Sequence, residues 1–373
     1  MFSSRFHWDL RPNRLTELLR EKRRAGAGVL DLTESNPTHA GLEYPREITG
    51  ALADERALRY DPAPPGMAEA REAVARYYAA RGHRVGPERI LLTASTSEGY
   101  AYLFKLLCDP GDEVLVPRPS YPLFEFLADM ENVKVRQYPL RYHGEWEIDR
   151  DALAQAVTAR SRAIVLVNPN NPTGSFLKRG ELEFLKGLNL PLISDEVFAD
   201  YPLQEDPSRV PTLAGQGFAM SGLSKVAGLP QMKLGWIVVP GAEAMERLEW
   251  IADTYLSVST PVQCAAAPLL WAGESVQRQI RGRCAANLAA VRTALVGSPA
   301  DVLAVEGGWY ATIKMPRIRS EEEWALELLS KDDVLLQPGF FYDFESEAFL
   351  VASLLTPPGT FDEGVRRLSA ALG

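Results

Sequence analysis

The sequence predicts an α/β protein in two parts. A large domain carries a mostly parallel sheet sandwiched by helices, and a smaller α+β domain is formed by both chain ends. Two observations carry this reading. Short apolar, β-branched runs alternate with helix-length segments through the middle of the chain, and from about Ala242 the pattern changes to long helices followed by strand-like stretches. At 373 residues the chain is long enough to bury both cores.

Taken in order, a helix near 13–25 is expected to pack with the C-terminal part. Strands are expected at "RILLT" (89–93), "EVLVP" (113–117), "KVRQYPL" (134–140), "AIVLVNP" (163–169), "PLISDE" (191–196), "GFAMSGL" (217–223) and "KLGWIVVP" (233–240). Helices at 96–107 and 121–130 separate the earlier ones. Beyond Ala242, helices at 242–257, 261–271 and 274–297 lead into strand-like "DVLAVEGGWYATIKMP" (301–316). A helix near 320–330, strands at 333–339 and 348–355, and a last helix at 360–371 follow. The expected domains are 45–255 for the large unit, and 1–44 with 256–373 for the small one.

Composition narrows the function. The 40 basic and 49 acidic residues give a formal charge of -9, which points away from nucleic acid and from anionic membrane surfaces. Cys108, Cys264 and Cys284 lie far apart, and the four histidines (His7, His39, His83, His143) form no ligand pair, so neither a disulfide framework nor a metal site is expected. No signal core or membrane-length apolar run is present, and a reducing cytoplasm is the expected location.

Four features fall at the C-terminal ends of the expected strands, where open α/β sheets place ligands. In "TASTSEG" (93–99), Ser95, Thr96 and Ser97 open a helix whose free N–H groups suit an anion; plain N-capping is the other reading. "NPNNPTG" (168–174) sets asparagine amides in a tight turn. Asp195 and Glu196 end an apolar strand, where a carboxylate is costly without a partner and an ion pair or a cationic ligand nitrogen would satisfy it. Lys225 sits among small and apolar residues in "SGLSKVAG", a setting in which a lysine loses its proton readily unless it lies on a surface turn. Together, phosphate cradle, amide turn, carboxylate and sequestered lysine are the parts that hold pyridoxal phosphate.

The ordered motifs resemble the class I/II aminotransferases of the aspartate aminotransferase superfamily, which are fold-type I pyridoxal-phosphate enzymes. The likeness runs from "RYDPAPPGMAEAREAVARYY" (59–78) through "PRPSYPLF" (117–124), "NPNNPTG", "SDEVFADY" and "SGLSK" to "EGGWYATIKMP" and "LLQPGFFYD". It implies a transaminase (EC 2.6.1.-) that uses an amino acid or related amine and a 2-oxo acid. Lys225 would hold the cofactor covalently and, as a neutral amine, move the substrate α-proton. Asp195 would face the pyridinium nitrogen, Asn171 the ring oxygen and Tyr121 the ring face. Ser95, Thr96, Ser97, Ser224 and Lys233 would take the phosphate. Tyr60 would reach the neighbouring site of a homodimer, and Ser35 and Asn36 in "TESNPT" would line the substrate entrance, where an Asn-Pro turn is the alternative.

Three positions depart from the family pattern. Phe198 stands where a tyrosine usually donates to the ring oxygen, leaving Asn171 as its donor; Tyr201 is a candidate substitute. Lys233 replaces an arginine that forks the phosphate, and a lysine acts there only as a point charge. Val351, Ala352 and Ser353 occupy the strand where an arginine usually grips the substrate α-carboxylate, with Arg11, Arg14 and Arg118 as candidate substitutes. That gap keeps a lyase or decarboxylase on the same scaffold as the alternative. A cofactor-binding transcriptional sensor would need a DNA-binding domain, for which the expected layout leaves no room.

Overall fold

The computed structural model describes residues 3, 5, 8 and 11–373. The large sheet has eight strands: β1 (Ile90–Thr93), β2 (Glu113–Arg118), β3 (Lys134–Tyr142), β4 (Trp146–Ile148), β5 (Ser161–Val167), β6 (Leu192–Asp195), β7 (Phe218–Gly222) and β8 (Gly235–Val238). Their spatial order is β1-β8-β7-β6-β5-β2-β3-β4. The strands from β7 to β3 run parallel, whereas β8 is antiparallel to both its neighbours and β4 to β3. β1, β6 and β7 are buried at every residue, so both sheet faces are covered and the strands read as continuous apolar runs. Alternation divides them between two cores: Leu92 and Trp236 face one layer of helices, Leu91 and Ile237 the other.

The smaller unit has an antiparallel sheet of β9 (Asp301–Val302), β10 (Tyr310–Lys314), β11 (Gln337–Pro338) and β12 (Phe349–Ser353), in the order β9-β10-β12-β11. Helix α1 (Arg14–Arg24) brings Leu15 into the core with Leu328 and Leu329, and Leu30–Asp31 pairs in parallel with Val334–Leu335. Both ends of the described chain therefore meet in one core.

Two expected elements differ from those observed. The helices expected at 261–271 and 274–297 are a short turn, Thr260–Cys264, and one continuous helix, α4 (Ala266–Ala294), with Gly273 in its interior. Gly273 serves close packing rather than a break: a Cβ there would lie 2.3 Å from the Cβ of Ala227. The expected domain boundary at 255/256 lies before this helix, and the hydrophobic cores change over within it, between Ala272 and Val276. The stretch 301–316 is not one strand but β9 and β10, separated by a loop that leaves the sheet. In that loop the Gly307 and Gly308 N–H groups donate to the carbonyls of Gly174 and Tyr201, each at 2.9 Å. The strand β4 carried no signal in "HGEWEID" strong enough to predict it.

Glu306 in this loop is buried and joins the two units. It receives the Lys178 ammonium at 2.5 Å and the Phe176 N–H at 3.0 Å. Lys178 also lies 3.1 Å from Asp206. Removing one partner of such a pair leaves a buried charge uncompensated. Lys178→Met is expected to destabilise the fold by about 3 kcal/mol, read as a lowered denaturant midpoint. A midpoint equal to the parent's would show that the pair contributes nothing.

Candidate active site

β7 ends at Gly222 and the chain turns at once into α3 (Leu223–Val226), a single helical turn that carries Lys225. Gly222 lies opposite Gly235 of β8, and a Cβ on Gly222 would come within 3.0 Å of the Gly235 backbone, so only glycine lets the strands close here. The Lys225 amine lies 4.8 Å from the Trp309 ring centre and 5.7 Å from that of Phe198. Burial lowers its pKa to about 8, against the opposing pull of Asp195.

Asp195 ends β6 and is 8% exposed. It accepts the Val197 N–H at 3.2 Å and the Tyr100 hydroxyl at 3.3 Å. Burial raises its pKa to about 6, which those hydrogen bonds and Lys225 only partly offset. The next residue, Glu196, points elsewhere: it takes the Thr212 hydroxyl at 2.5 Å and the Leu213 N–H at 2.7 Å, and burial raises its pKa to about 7. The two carboxylates are thus divided between a structural turn and the ligand edge of the sheet.

The asparagine turn after β5 divides in the same way. Asn168 bonds the Val210 carbonyl and the Leu177 N–H, at 2.9 and 3.0 Å. Asn170 bonds the Pro119 carbonyl, Thr173 and Ser120 at 2.8 to 3.0 Å. Asn171 is the one of the three whose buried amide oxygen has no partner among the described residues.

On the other side of Lys225, Ser95 caps α2 (Thr96–Leu107), accepting the Glu98 N–H at 3.2 Å. A Cβ on Gly235 would meet Thr93 Oγ1 at 3.0 Å, the Ser95 backbone at 3.1 Å and the Ser221 carbonyl at 3.2 Å. That glycine therefore brings the start of α2 against the end of β7, next to Ser224 and Lys225. Thr96 is partly buried and Ser97 exposed. Lys233 is exposed, has a left-handed φ of 53° and pairs with no acid among the described residues. Tyr60 is 76% exposed, in a surface recess with Leu256, Ser257 and Val258. Tyr121 is 41% exposed; burial and the charge of Asp195 raise its pKa.

The departures acquire geometry. Phe198 packs edge-on against Trp309 at 5.3 Å. Tyr201 does not stand in for the missing hydroxyl: it donates to the Lys225 carbonyl at 2.5 Å. Val351 is fully buried between Thr312 and Gln337. Arg14 pairs with Glu322 at 3.3 Å, Arg118 pairs with Glu345, and Arg11 is exposed. Ser35 is partly buried, and Asn36 uses its amide oxygen to close the turn onto Thr38, at 3.0 Å to the N–H and 2.8 Å to the hydroxyl. Sequence reasoning missed Tyr100 and Trp309 as site residues. Tyr100 lies one turn after Thr96 on α2, and Trp309 stood inside a quoted motif; those were the available signals.

A family model, aminotransferase class I and II, matches residues 27–368. The glutamate-pyruvate aminotransferase AlaA of Escherichia coli is 31% identical over 275 residues, 68% of this chain and 66% of that protein, just under two thirds of its length. The S-alkyl-thiohydroximate lyase SUR1 of Arabidopsis thaliana is also 31% identical, over 55% of this chain and 46% of that protein. Among solved structures, the alanine aminotransferase of Pyrococcus furiosus superposes with a TM-score of 0.89 at 25% identity, covering 100% of this chain and 99% of the other. The chain belongs to the aminotransferase class I and II family.

Proposed function

We infer that this chain is a pyridoxal-phosphate-dependent aminotransferase that moves an amino group from an amino acid or related amine to a 2-oxo acid. The observation that carries the reading is the juxtaposition, at the ends of the neighbouring strands β6 and β7, of Asp195, a buried carboxylate without a fixed cation among the described residues, and the readily deprotonated amine of Lys225. These residues fit the cofactor. Asp195 would hold its pyridinium nitrogen, Asn171 its ring oxygen, Tyr121 its ring, and Ser95, Thr96, Ser97 and Ser224 its phosphate at the start of α2. Lys233 would add a point charge to the phosphate from outside. When bound, pyridoxal phosphate supplies an electron sink for the pair released at the substrate α-carbon.

Lys225 performs the proton work in this account. A pKa near 8 leaves a useful neutral fraction at physiological pH, and that fraction rises about tenfold per unit below the pKa. Trp309 and Phe198 place apolar rings beside the amine, and Asp195 ends the neighbouring strand with a carboxylate. Incubation with pyridoxal phosphate, borohydride reduction and peptide mass analysis should place the label on Lys225; a label elsewhere would remove the assignment.

Further support concerns assembly. Leu58 (89% exposed), Tyr60 and Trp271 (71%) are large apolar side chains at the surface that a second copy could cover. In a homodimer Tyr60 would reach the neighbouring phosphate. No helix among the described residues is long and apolar enough to cross a membrane. We place the enzyme in the cytoplasm, with 45–255 as the cofactor-binding unit and 1–44 with 256–373 as the small unit, α4 running from one core into the other.

Val351, in place of a carboxylate-gripping arginine, and a lyase among the relatives favour one second reading, elimination on the same scaffold. Product analysis separates the two. Phe198 gives a further test. Phe198→Tyr should restore a donor to the ring oxygen and lower, by about one unit, the pH at which the bound cofactor's absorbance changes. An unchanged midpoint would show that residue 198 does not face that oxygen.

A further inference from the structure

The final carbonyls of the single turn α3 draw little from the backbone, the Lys225 carbonyl taking the Gly228 N–H at 3.3 Å, and side chains from three other segments add donors. Tyr201 donates its hydroxyl to the Lys225 carbonyl at 2.5 Å. Gln277 donates from Nε2 to the Val226 carbonyl at 2.9 Å, and Tyr44 donates to the Gly228 carbonyl at 2.7 Å. The second Nε2 proton of Gln277 goes to Asp200 at 2.8 Å, and Asp200 also takes Arg81 at 2.5 Å and Tyr77 at 2.8 Å. Both donors of one buried amide are therefore used, one on the lysine turn and one on an anchored carboxylate.

The same helix touches the turn twice. Gly273 and Gln277 are four residues apart on one face of α4, and Gly273 lets that face close onto Ala227. Gly228, at φ +63°, leaves room for Val276 and Ile280. Tyr201 is fully buried and stacks edge-on with Trp309 at 5.2 Å, the ring that also lies beneath the Lys225 amine. Tyr201 thus acts on both ends of the lysine: the carbonyl through its hydroxyl, the amine through Trp309.

We propose that Tyr201 and Gln277 are positioning residues for Lys225, fixing its turn so that the amine is held over Trp309 and Phe198, toward Asp195. The proposal rests on Lys225 being the reactive lysine. Its geometry also ties the lysine to both units, because α4 enters the small-domain core at Val276, one residue before Gln277. The charged group whose field reaches the amine is Asp195; Asp200 and Arg81 face the network from behind the turn, and the phenols of Tyr44, Tyr77 and Tyr201 complete it.

The test uses the full chain freed of cofactor, so that it is independent of catalysis. Lys225 methylation by formaldehyde and cyanoborohydride is followed by peptide mass analysis across pH, alongside thermal melting. The parent should label with a midpoint near about 8. Tyr201→Phe, which removes one oxygen and keeps the ring on Trp309, should move the midpoint up by about one unit and cut labelling at pH 7 about tenfold. Gln277→Leu should do the same, and decides the matter if the first variant does not fold. A folded variant whose melting temperature falls while its midpoint stays at the parent's would overturn the proposal and leave both residues merely structural. Failure of Lys225 to carry the reduced cofactor would instead defeat the functional reading, and this labelling profile would still stand on its own.

Discussion

Lys225→Ala is expected to lower turnover by about 10⁴-fold or more, because under the proposed assignment the substitution would remove both the covalent attachment of the cofactor and the proton carrier at the substrate α-carbon. Its site explains why no neighbour can replace it. Trp309 and Phe198 occupy the flanks of the amine, and Lys233 is exposed. Single-turnover mixing of the variant, loaded with pyridoxal phosphate, against an amino donor measures the loss. A variant within tenfold of the parent would mean that another base moves the proton.

Asp195→Asn has two expected effects of opposite sign. In the loaded enzyme the carboxylate would, under the proposed assignment, face a cationic ring nitrogen, and breaking a buried charge pair costs about 3–5 kcal/mol, so cofactor affinity and turnover should fall by roughly 10²- to 10⁴-fold. In the cofactor-free chain the same carboxylate is a cost. Its pKa is raised by burial from 3.8 to about 6, so between those values the folded chain holds a proton that the unfolded chain has lost. Stability therefore declines as pH rises through that window, and the penalty is complete above about pH 6, amounting to roughly 3 kcal/mol at most. The asparagine variant escapes it and keeps an acceptor for the Val197 N–H. Cofactor-free Asp195→Asn should thus unfold at a higher denaturant concentration than the parent at pH 8, with the difference vanishing near pH 4. Equal midpoints at pH 8 would show that Asp195 is compensated without the cofactor.

Much of the site was legible because charges stood where apolar strands end. Lys225 and Asp195 follow runs whose burial could be read from residue type alone, and a charge at such a point needs a reason. Asn171 was separable from Asn168 and Asn170 only through the family pattern; the structure gives the physical basis, since the other two amides are consumed by the turn. The roles of Tyr201 and Gln277 were not legible. Tyr201 looked like a substitute for the hydroxyl lost at Phe198, yet the loop from Glu196 turns its phenol to the carbonyl side of the lysine. Gln277 lies on a helix whose course was misread, because Gly273 signals a break and close packing equally well until its neighbour Ala227 is known. Strand β4 was lost for a similar reason: three residues paired on one side carry too little pattern to stand out.

The most direct test of the account is the half-reaction. The protein loaded with pyridoxal phosphate is mixed with a panel of amino acids and simple amines, recording the cofactor's absorbance and assaying the 2-oxo product. One class of donor is expected to change the absorbance with one equivalent of 2-oxo acid or aldehyde per site, and adding a 2-oxo acid to reverse it. Elimination or decarboxylation products without that stoichiometric, reversible transfer would contradict the account and assign the scaffold to a lyase.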